Sequence, residues 1–301
     1  MNTPTFNIAA VERDTGLSKD VLRVWERRYG FPAPARDDNG ERSYPAEQVD
    51  RLRLIKRLMD QGHRPGKLLA RPAEELAALA PRRAAARPAA AARAGDDDLG
   101  ELLRLIRAHD ASGYREAMQQ RLARGGLLRF VQDTVAPLTR HVGEAWEDGS
   151  FAVFEEHLFT ELTKRLLRQS IATLPTGGPP RVLLTSAPDE PHVLGLLMVE
   201  ALLTLEGAEC VPLGTQMPLL EIGRAAEAHR AEVVALSFSI AFPPRRIPGL
   251  LQQLRALLPA SVALWAGGSG VARLAPAAGV ELLTTLDDAL AALADWHAQH
   301  T

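Results

Sequence analysis

Cysteine is nearly absent from the chain. Cys210 is the only one, and no CxxC pair with metal-binding spacing occurs. A single thiol cannot form an internal disulfide, and the missing CxxC motif excludes the usual zinc frameworks. Cys210 follows the segment LEGAE in a predicted strand. We therefore interpret it as a small buried hydrophobic residue rather than a nucleophile.

Long apolar runs and a secretion signal are also missing. No uninterrupted hydrophobic stretch reaches the ~20 residues that cross a bilayer, although 46% of the residues are hydrophobic. The stretch MNTPTFNIAAVERDTG has no basic segment followed by an apolar one, so we expect no signal peptide. Together with the cysteine usage, these absences predict a cytoplasmic protein with no membrane partner.

Net charge is close to zero, but its distribution is uneven. The formal net charge is −2; residues 1–93 carry 18 Lys and Arg against 12 Asp and Glu, and the remaining residues carry 17 against 25. A basic head on an acidic body indicates that the head meets a polyanion. The length of 301 residues is enough for two or three domains, each with its own core.

Residues 1–75 have the pattern of a DNA-binding head. The stretch IAAVERDTGLSKDVLRVWERRYG predicts helix, turn and helix, with Ser18 as N-cap and Gly30 at the end. A hairpin turning at Asn39-Gly40 and a further amphipathic helix follow. The segments TGLSKDVLRVWERRYG, RDDNGERSY and VDRLRLIKRL resemble the MerR family of transcription regulators. The resemblance implies a winged helix-turn-helix that binds double-stranded promoter DNA as at least a dimer.

Basic side chains of this head are predicted to contact DNA. Four lie on the second helix, which would be the recognition helix, and two flank the hairpin turn, which would form a wing. Such side chains neutralise phosphates and read guanine edges, although an ordinary solvated face is the alternative. We interpret Trp25 and Tyr29 as core or backbone-positioning residues. The predicted DNA-binding residues are Lys19, Arg23, Arg27, Arg28, Arg36 and Arg42.

The rest of the chain divides into three segments of different texture. Residues 76–97 are rich in Ala, Arg and Pro, which predicts a linker. Residues 98–176 lack strand signals and hold four helical patterns, which predict a four-helix bundle. Residues 177–301 alternate apolar strands with helices, as in a Rossmann-like parallel α/β domain that binds ligands at the carboxyl ends of its strands. The predicted fold class is multidomain, α and α/β.

An ordered set of polar residues and glycines follows successive strands of the predicted sheet. Each is a cofactor-binding candidate: Glu190, His192, Gly195, Ser237, Ser239, Gly267 and Gly268. The set resembles the cobalamin-binding domain. The resemblance implies that His192 replaces the cofactor's own dimethylbenzimidazole as the lower axial ligand of cobalt. The displaced nucleotide tail of the cofactor would then enter a slot between the sheet and the helices. Neutral imidazole is a good cobalt ligand, and Glu190 would orient it. The glycines would leave room for the tail, and the serines would hydrogen-bond it. A purely structural loop histidine is the alternative.

The bundle carries a second cofactor signal. Trp146 is followed, after nine residues, by Glu156 and His157. This pattern resembles the CarH/LitR family of cobalamin-dependent photoreceptors, in which these positions cap the upper face of the corrin. The resemblance implies that the cofactor is adenosylcobalamin. Trp146 would form a flat apolar lid, and Glu156 and His157 would hydrogen-bond to ribose or adenine. Methylcobalamin or another tetrapyrrole is the alternative cofactor. Without a cofactor, Trp146 would be a core residue beside solvated charges.

The order of head, bundle and sheet is that of this family along nearly the whole chain. It implies a light-responsive repressor, not an enzyme, in which adenosylcobalamin in the dark holds a tetramer that binds promoter DNA and light causes the tetramer to fall apart. Self-association as a dimer or tetramer is therefore expected. The sequence departs from the family pattern at Glu147. In the family, this position is a histidine that binds cobalt after illumination. A different photoproduct, light-independent cobalamin sensing and another tetrapyrrole therefore remain open. A cobalamin-carrying methyl-transfer or mutase subunit would share the sheet site but has no use for the head.

Overall fold

The computed structural model of the chain describes residues 5–37, 40–60, 63–72, 75–76, 79, 94–147 and 149–300. The chain divides into two compact units, residues 1–90 and 91–301. Asn39 of the predicted hairpin turn and most of the predicted linker lie outside the described residues. No helix within the described ranges is both long and apolar enough to span a membrane.

The first unit is a small helical domain with a three-stranded antiparallel sheet. Its described elements are β1 (Thr5–Asn7), α1 (Ile8–Thr15), α2 (Lys19–Tyr29), β2 (Ala35–Arg36), β3 (Arg42–Pro45), α3 (Ala46–Asp60) and α4 (Pro65–Leu69). The strands are ordered β1-β3-β2. Ser18 caps α2, since its hydroxyl accepts the backbone N–H of Val21, and Gly30 ends α2 in the left-handed conformation with φ 69°. Trp25 and Leu22 pack into the core of this unit.

The second unit begins with a helical bundle. The described chain there forms α5 (Ala94–Arg107), α6 (Ala111–Arg129), a π-helical turn (Phe130–Val135), α7 (Ala136–Glu147) and α8 (Val153–Ile171). Gly126 interrupts α6 with φ 72° and ψ 171°, a backbone conformation that glycine adopts without a steric penalty. The π-helical turn was not predicted. Pro137, the second residue after this turn, has no N–H to continue an α-helical ladder.

A parallel sheet completes the second unit. Its elements are β4 (Gly178–Thr185), α9 (Leu194–Leu205), β5 (Ala208–Gly214), α10 (Leu219–Ala228), β6 (Val233–Ser237), α11 (Ile247–Leu257), β7 (Ala263–Gly267), β8 (Glu281–Leu283) and α12 (Leu286–His300). The strand order is β5-β4-β6-β7-β8, with every neighbouring pair parallel. The order reverses between β4 and β6, so this switch point is where a ligand is expected at the carboxyl edge.

Helices cover both faces of the sheet. Leu183 and Leu236 point to the core under α10 and α11, whereas Leu184 and Ala235 point to the core under α9 and α12. The opposite side of α9 packs against the bundle, where Leu197 shares a core with bundle residues. This explains why α9 is apolar almost all round, as expected of a helix buried between two layers.

Candidate cobalamin site and DNA-binding face

The loops that follow β4 and β6 meet at the switch point and join His192, Glu190 and Ser239. The Nδ1–H of His192 donates to Glu190 Oε1 at 2.6 Å, and the His192 backbone N–H donates to the same oxygen at 3.1 Å. The other oxygen, Oε2, accepts the backbone N–H of Ser239 at 2.8 Å and its hydroxyl at 2.9 Å. Each oxygen of the Glu190 carboxylate therefore accepts two hydrogen bonds, and the imidazole is held in one orientation.

Burial and charge set the protonation states of this pair. Glu190 is 1% exposed, and burial alone would raise its pKa; the hydrogen bonds from His192 and Ser239 outweigh burial, and the pKa is lowered. The Glu190 hydrogen bond raises the pKa of His192 against the effect of burial. The imidazole remains half-exposed, at 54% of its side-chain surface. Because Nδ1 is bonded to the carboxylate, Nε2 is the nitrogen left for an external ligand.

Residues that the sequence reasoning missed hold the loop after β4. Ser186 is buried; its hydroxyl donates to the Glu190 carbonyl at 2.5 Å and accepts the backbone N–H of Gln216 at 2.9 Å. Arg246, in the 3-10 turn after β6, donates to Asp189 at 2.8 Å. Asp189 has φ 67°, a conformation that aspartate tolerates better than most residues. The one available signal was the polar residue Ser186 directly after an apolar strand.

The predicted serine and glycines lie around the same edge, in close backbone contact. A Cβ on Gly195 would lie 2.7 Å from the Ser237 hydroxyl, and one on Gly267 would lie 3.3 Å from the Leu283 carbonyl. Gly268 has φ 96°, and its Cβ would lie 2.4 Å from the Phe238 carbonyl. The chain's own packing therefore requires glycine at 268, whereas the sequence had suggested only room for a ligand.

The three predicted residues of the bundle lie near the ends of two helices that follow each other along the chain. Glu156 and His157 lie in the first turn of α8, and Trp146 lies, partly buried, near the end of α7. The Glu156 carboxylate accepts the Thr160 hydroxyl at 2.7 Å. Its charge also contributes to the raised pKa of His192, which indicates that Glu156 lies near the imidazole. Glu147 is the last residue of α7, and its side chain lies outside the described residues.

His109, between α5 and α6, lies beside the first turn of α8. The ring of His109 lies 5.2 Å from that of Phe154, which is 60% exposed. The same imidazole lies 3.5 Å from the Glu155 carboxylate. His157 itself is 71% exposed. His109 therefore lies beside Phe154 and Glu155 at the start of α8, although it is too far from them in sequence for a motif to connect the three.

The basic residues of the head divide into tethered and open ones. Arg42 Nε donates to Glu26 at 2.7 Å, which raises the pKa of the guanidinium and ties the wing to α2. Arg36 donates to the Gly40 carbonyl at 2.7 Å. Lys19 lies 3.6 Å from Glu12. Three of the six predicted DNA contacts thus have a partner outside their own helix or strand, and Arg23 pairs with Asp20 within α2.

The remaining three basic residues lie on the exposed face of α2. Arg23 lies 3.3 Å from Asp20, which is itself 89% exposed. Arg27 and Arg28 are exposed in the last turn, where Arg28 lies 5.4 Å from the centre of the Tyr29 ring. This face is suited to phosphates and base edges.

The donor set fits a cobalt tetrapyrrole. A half-exposed imidazole, backed by a buried carboxylate at the switch point of a parallel sheet, supplies one neutral nitrogen ligand with a defined tautomer. The helical bundle supplies Glu156, whose charge acts on His192, and an exposed His157. The imidazole and the bundle residues belong to one compact unit, so such a group would be held between the sheet and the helices of a single unit.

Residues 6–68 match the MerR HTH family regulatory protein, and residues 99–169 match the B12 binding domain. Fold, site and matches define a MerR-type transcription regulator with a B12 binding domain. The chain is 31% identical over 269 residues to the HTH-type transcriptional repressor CarH of Myxococcus xanthus, covering 88% of this chain and 89% of CarH. It is 31% identical over 270 residues to the repressor CarA of the same organism, covering 88% and 87%. The chain belongs to the CarH and CarA family of transcriptional repressors, so the predicted family and the prediction of a regulator rather than an enzyme are confirmed.

The fold of the second unit has a counterpart among solved structures. The chain is similar to the monomethylamine corrinoid protein of Methanosarcina barkeri, with a TM-score of 0.52 and 18% identity over 67% of this chain and 100% of that one. This likeness confirms the predicted fold class of bundle followed by a Rossmann-like sheet.

Proposed function

We propose that this chain is a cobalamin-dependent transcriptional repressor that binds promoter DNA. Its affinity for DNA would respond to the upper ligand of cobalt, with light as the signal. The observation that carries the proposal is the His192 imidazole, oriented by buried Glu190 and faced by Glu156 of the bundle. A cofactor seated on His192 would lie between two layers of one unit. A change on its upper side would then act directly on the bundle.

The chain's own residues have separate tasks in this proposal. His192 would hold cobalt through Nε2, while Glu190 and Ser239 keep the ring in place. Trp146, Glu156 and His157 would contact the upper ligand. Bound adenosylcobalamin supplies a cobalt–carbon bond that visible light can break. The two states of the bundle would favour different assemblies of the chain, dimer or tetramer, and hence different affinities for DNA.

A second function is favoured by one residue. Glu147 stands where the family resemblance places a cobalt-binding histidine. Carboxylate is a weaker partner than imidazole for such a cobalt. A light-independent repressor that senses cobalamin itself, or another tetrapyrrole, is therefore the alternative function.

Reconstitution distinguishes the two. The purified chain would be loaded separately with adenosyl-, methyl- and hydroxocobalamin, kept dark or exposed to green light, and examined by absorption spectroscopy, gel filtration and operator binding. We expect light to change the spectrum, mass and DNA affinity of the adenosylcobalamin sample. An unchanged mass and affinity after photolysis would contradict light control and favour the alternative; failure to bind any of the three would contradict both.

A substitution tests the assigned ligand. His192→Ala should remove or alter the spectrum of histidine-coordinated cobalamin, whereas His229→Ala, at an exposed position after α10, should not. An identical spectrum in His192→Ala would remove this residue from the metal.

A further inference from the structure

The DNA-binding face of α2 contains an exposed apolar side chain. Val24 is 45% exposed, although the helix buries Leu22 and Trp25 on its other side. Residues three and four apart lie on the same side of a helix, which places Val24 beside Asp20 and Arg28. Val24 is not among the DNA-binding residues predicted from the sequence.

Single exposed hydrophobic residues are common on protein surfaces, so exposure alone carries little weight. The surroundings of Val24 are the second observation. Arg23, Arg27 and Arg28 are all exposed beside it, and Asp20 lies 3.3 Å from Arg23. The two methyl groups of Val24 therefore form an apolar spot inside a cluster of hydrogen-bonding groups.

The chemistry of such a spot matches one group in DNA. The major groove presents hydrogen-bond donors and acceptors from every base, and in unmodified DNA its one apolar group is the C5-methyl of thymine. A β-branched side chain is also stiff, so its methyl groups occupy defined positions at little entropic cost. The basic residues around it match the phosphates in charge.

We propose that Val24 is a specificity-determining residue that contacts a thymine methyl group in the operator. The inference rests on the DNA binding of the proposed function. Charged neighbours supply affinity for any sequence, and Val24 adds a preference for thymine at one position of each half-site.

The test removes the methyl group from the DNA. The full chain, loaded with adenosylcobalamin in the dark, would first select its operator from random duplexes. Each thymine of the selected site would then be replaced by deoxyuridine, which lacks only the methyl. We expect one thymine in each half-site at which this replacement weakens wild-type binding about fourfold, the value of one buried methyl contact.

The matching change in the protein completes the test. Val24→Ala should bind the thymine duplex about fourfold more weakly per half-site, and should no longer distinguish thymine from deoxyuridine there. Its salt dependence should equal that of wild type, because no phosphate contact is removed. Alanine is a better helix former than valine, so α2 is retained. Leu257→Ala, which truncates a 42%-exposed side chain in the other unit, should behave as wild type.

The outcomes separate this inference from the proposed function. Wild type that is indifferent to deoxyuridine at every thymine would overturn the role of Val24 alone. The same holds if Val24→Ala keeps wild-type sensitivity to the replacement. A selection that enriches no sequence would overturn the proposed DNA-binding function as well. If Val24→Ala does not fold, Val24→Thr, which keeps one methyl and the shape, must show a reduced thymine preference.

Discussion

Glu190 is a carboxylate buried almost completely, a state that is costly unless each oxygen has partners. Here one oxygen accepts two N–H groups of His192 and the other accepts two groups of Ser239. These bonds stabilise the charged form and, at the same time, fix the imidazole tautomer. The orientation of the candidate cobalt ligand therefore depends on one residue that would not itself touch the metal.

Replacement of the charge tests this dependence. Glu190→Gln keeps the shape but loses a charged acceptor for Nδ1–H, so we expect cobalamin affinity to fall about 10- to 100-fold. The measurement is an absorption titration with hydroxocobalamin. Glu221→Gln, which removes an exposed ion pair with Arg224, is the matched control and should leave the affinity unchanged. Equal affinities for both variants would contradict the role of Glu190.

Cys210 gives a second prediction at this scale. Burial raises the pKa of its thiol to about 11 from the ordinary 9.0. Since thiolate is the reactive form, the folded protein at pH 8 should have about a hundredfold less thiolate than the unfolded chain. Alkylation by iodoacetamide at pH 8 should accordingly be slow in native protein and fast in guanidinium. Equal rates in both conditions would show that the thiol is accessible and unperturbed.

Among the elements, α9 illustrates how far the apolar pattern carries. The sequence VLGLLMVEALLTLEG predicts a helix, and the structure has one over Leu194–Leu205. Its nearly continuous apolar surface has two partners, the sheet and the bundle. Periodicity cannot identify the second partner, because a helix buried on both sides loses its amphipathic signal.

The close contact between the loops that follow β6 and β7 gives a prediction for stability. Gly268→Ala would place a Cβ 2.4 Å from the Phe238 carbonyl at φ 96°, so we expect the cofactor-free protein to lose about 1–3 kcal/mol of unfolding free energy. Chemical denaturation measures this loss. Gly100→Ala in α5, where a Cβ meets nothing within 4 Å, should instead stabilise by about 0.5–1 kcal/mol. A stable Gly268→Ala protein that fails only to bind cofactor would contradict the packing explanation.

The whole molecule divides into two compact units, residues 1–90 and 91–301, and we expect each to unfold separately. The bundle and the sheet belong to one unit and share the core around α9, whereas the head has a core of its own. A cofactor held between Glu156 and His192 would therefore stabilise bundle and sheet together.

Calorimetry checks this expectation. We expect two transitions, of which cobalamin raises only that of residues 91–301, by about 2.7 kcal/mol at a free concentration 100 times Kd. His192→Ala should abolish the shift without removing the transition. If hydrogen exchange instead gave the bundle and the sheet distinct opening free energies, the two would not form a single cooperative unit.

The sequence by itself determined the regulator family, the order of head, bundle and sheet, and the position of His192 at a strand end. These features are local: caps, periodicities and motifs depend on residues close in the chain. Only the tertiary structure brought Ser186 to Gln216, 30 residues away, and Asp189 to Arg246, 57 residues away. It likewise brought Glu156 near His192 and exposed Val24 among arginines. Contacts between distant residues follow from how strands and helices pack, and a single sequence does not record that packing.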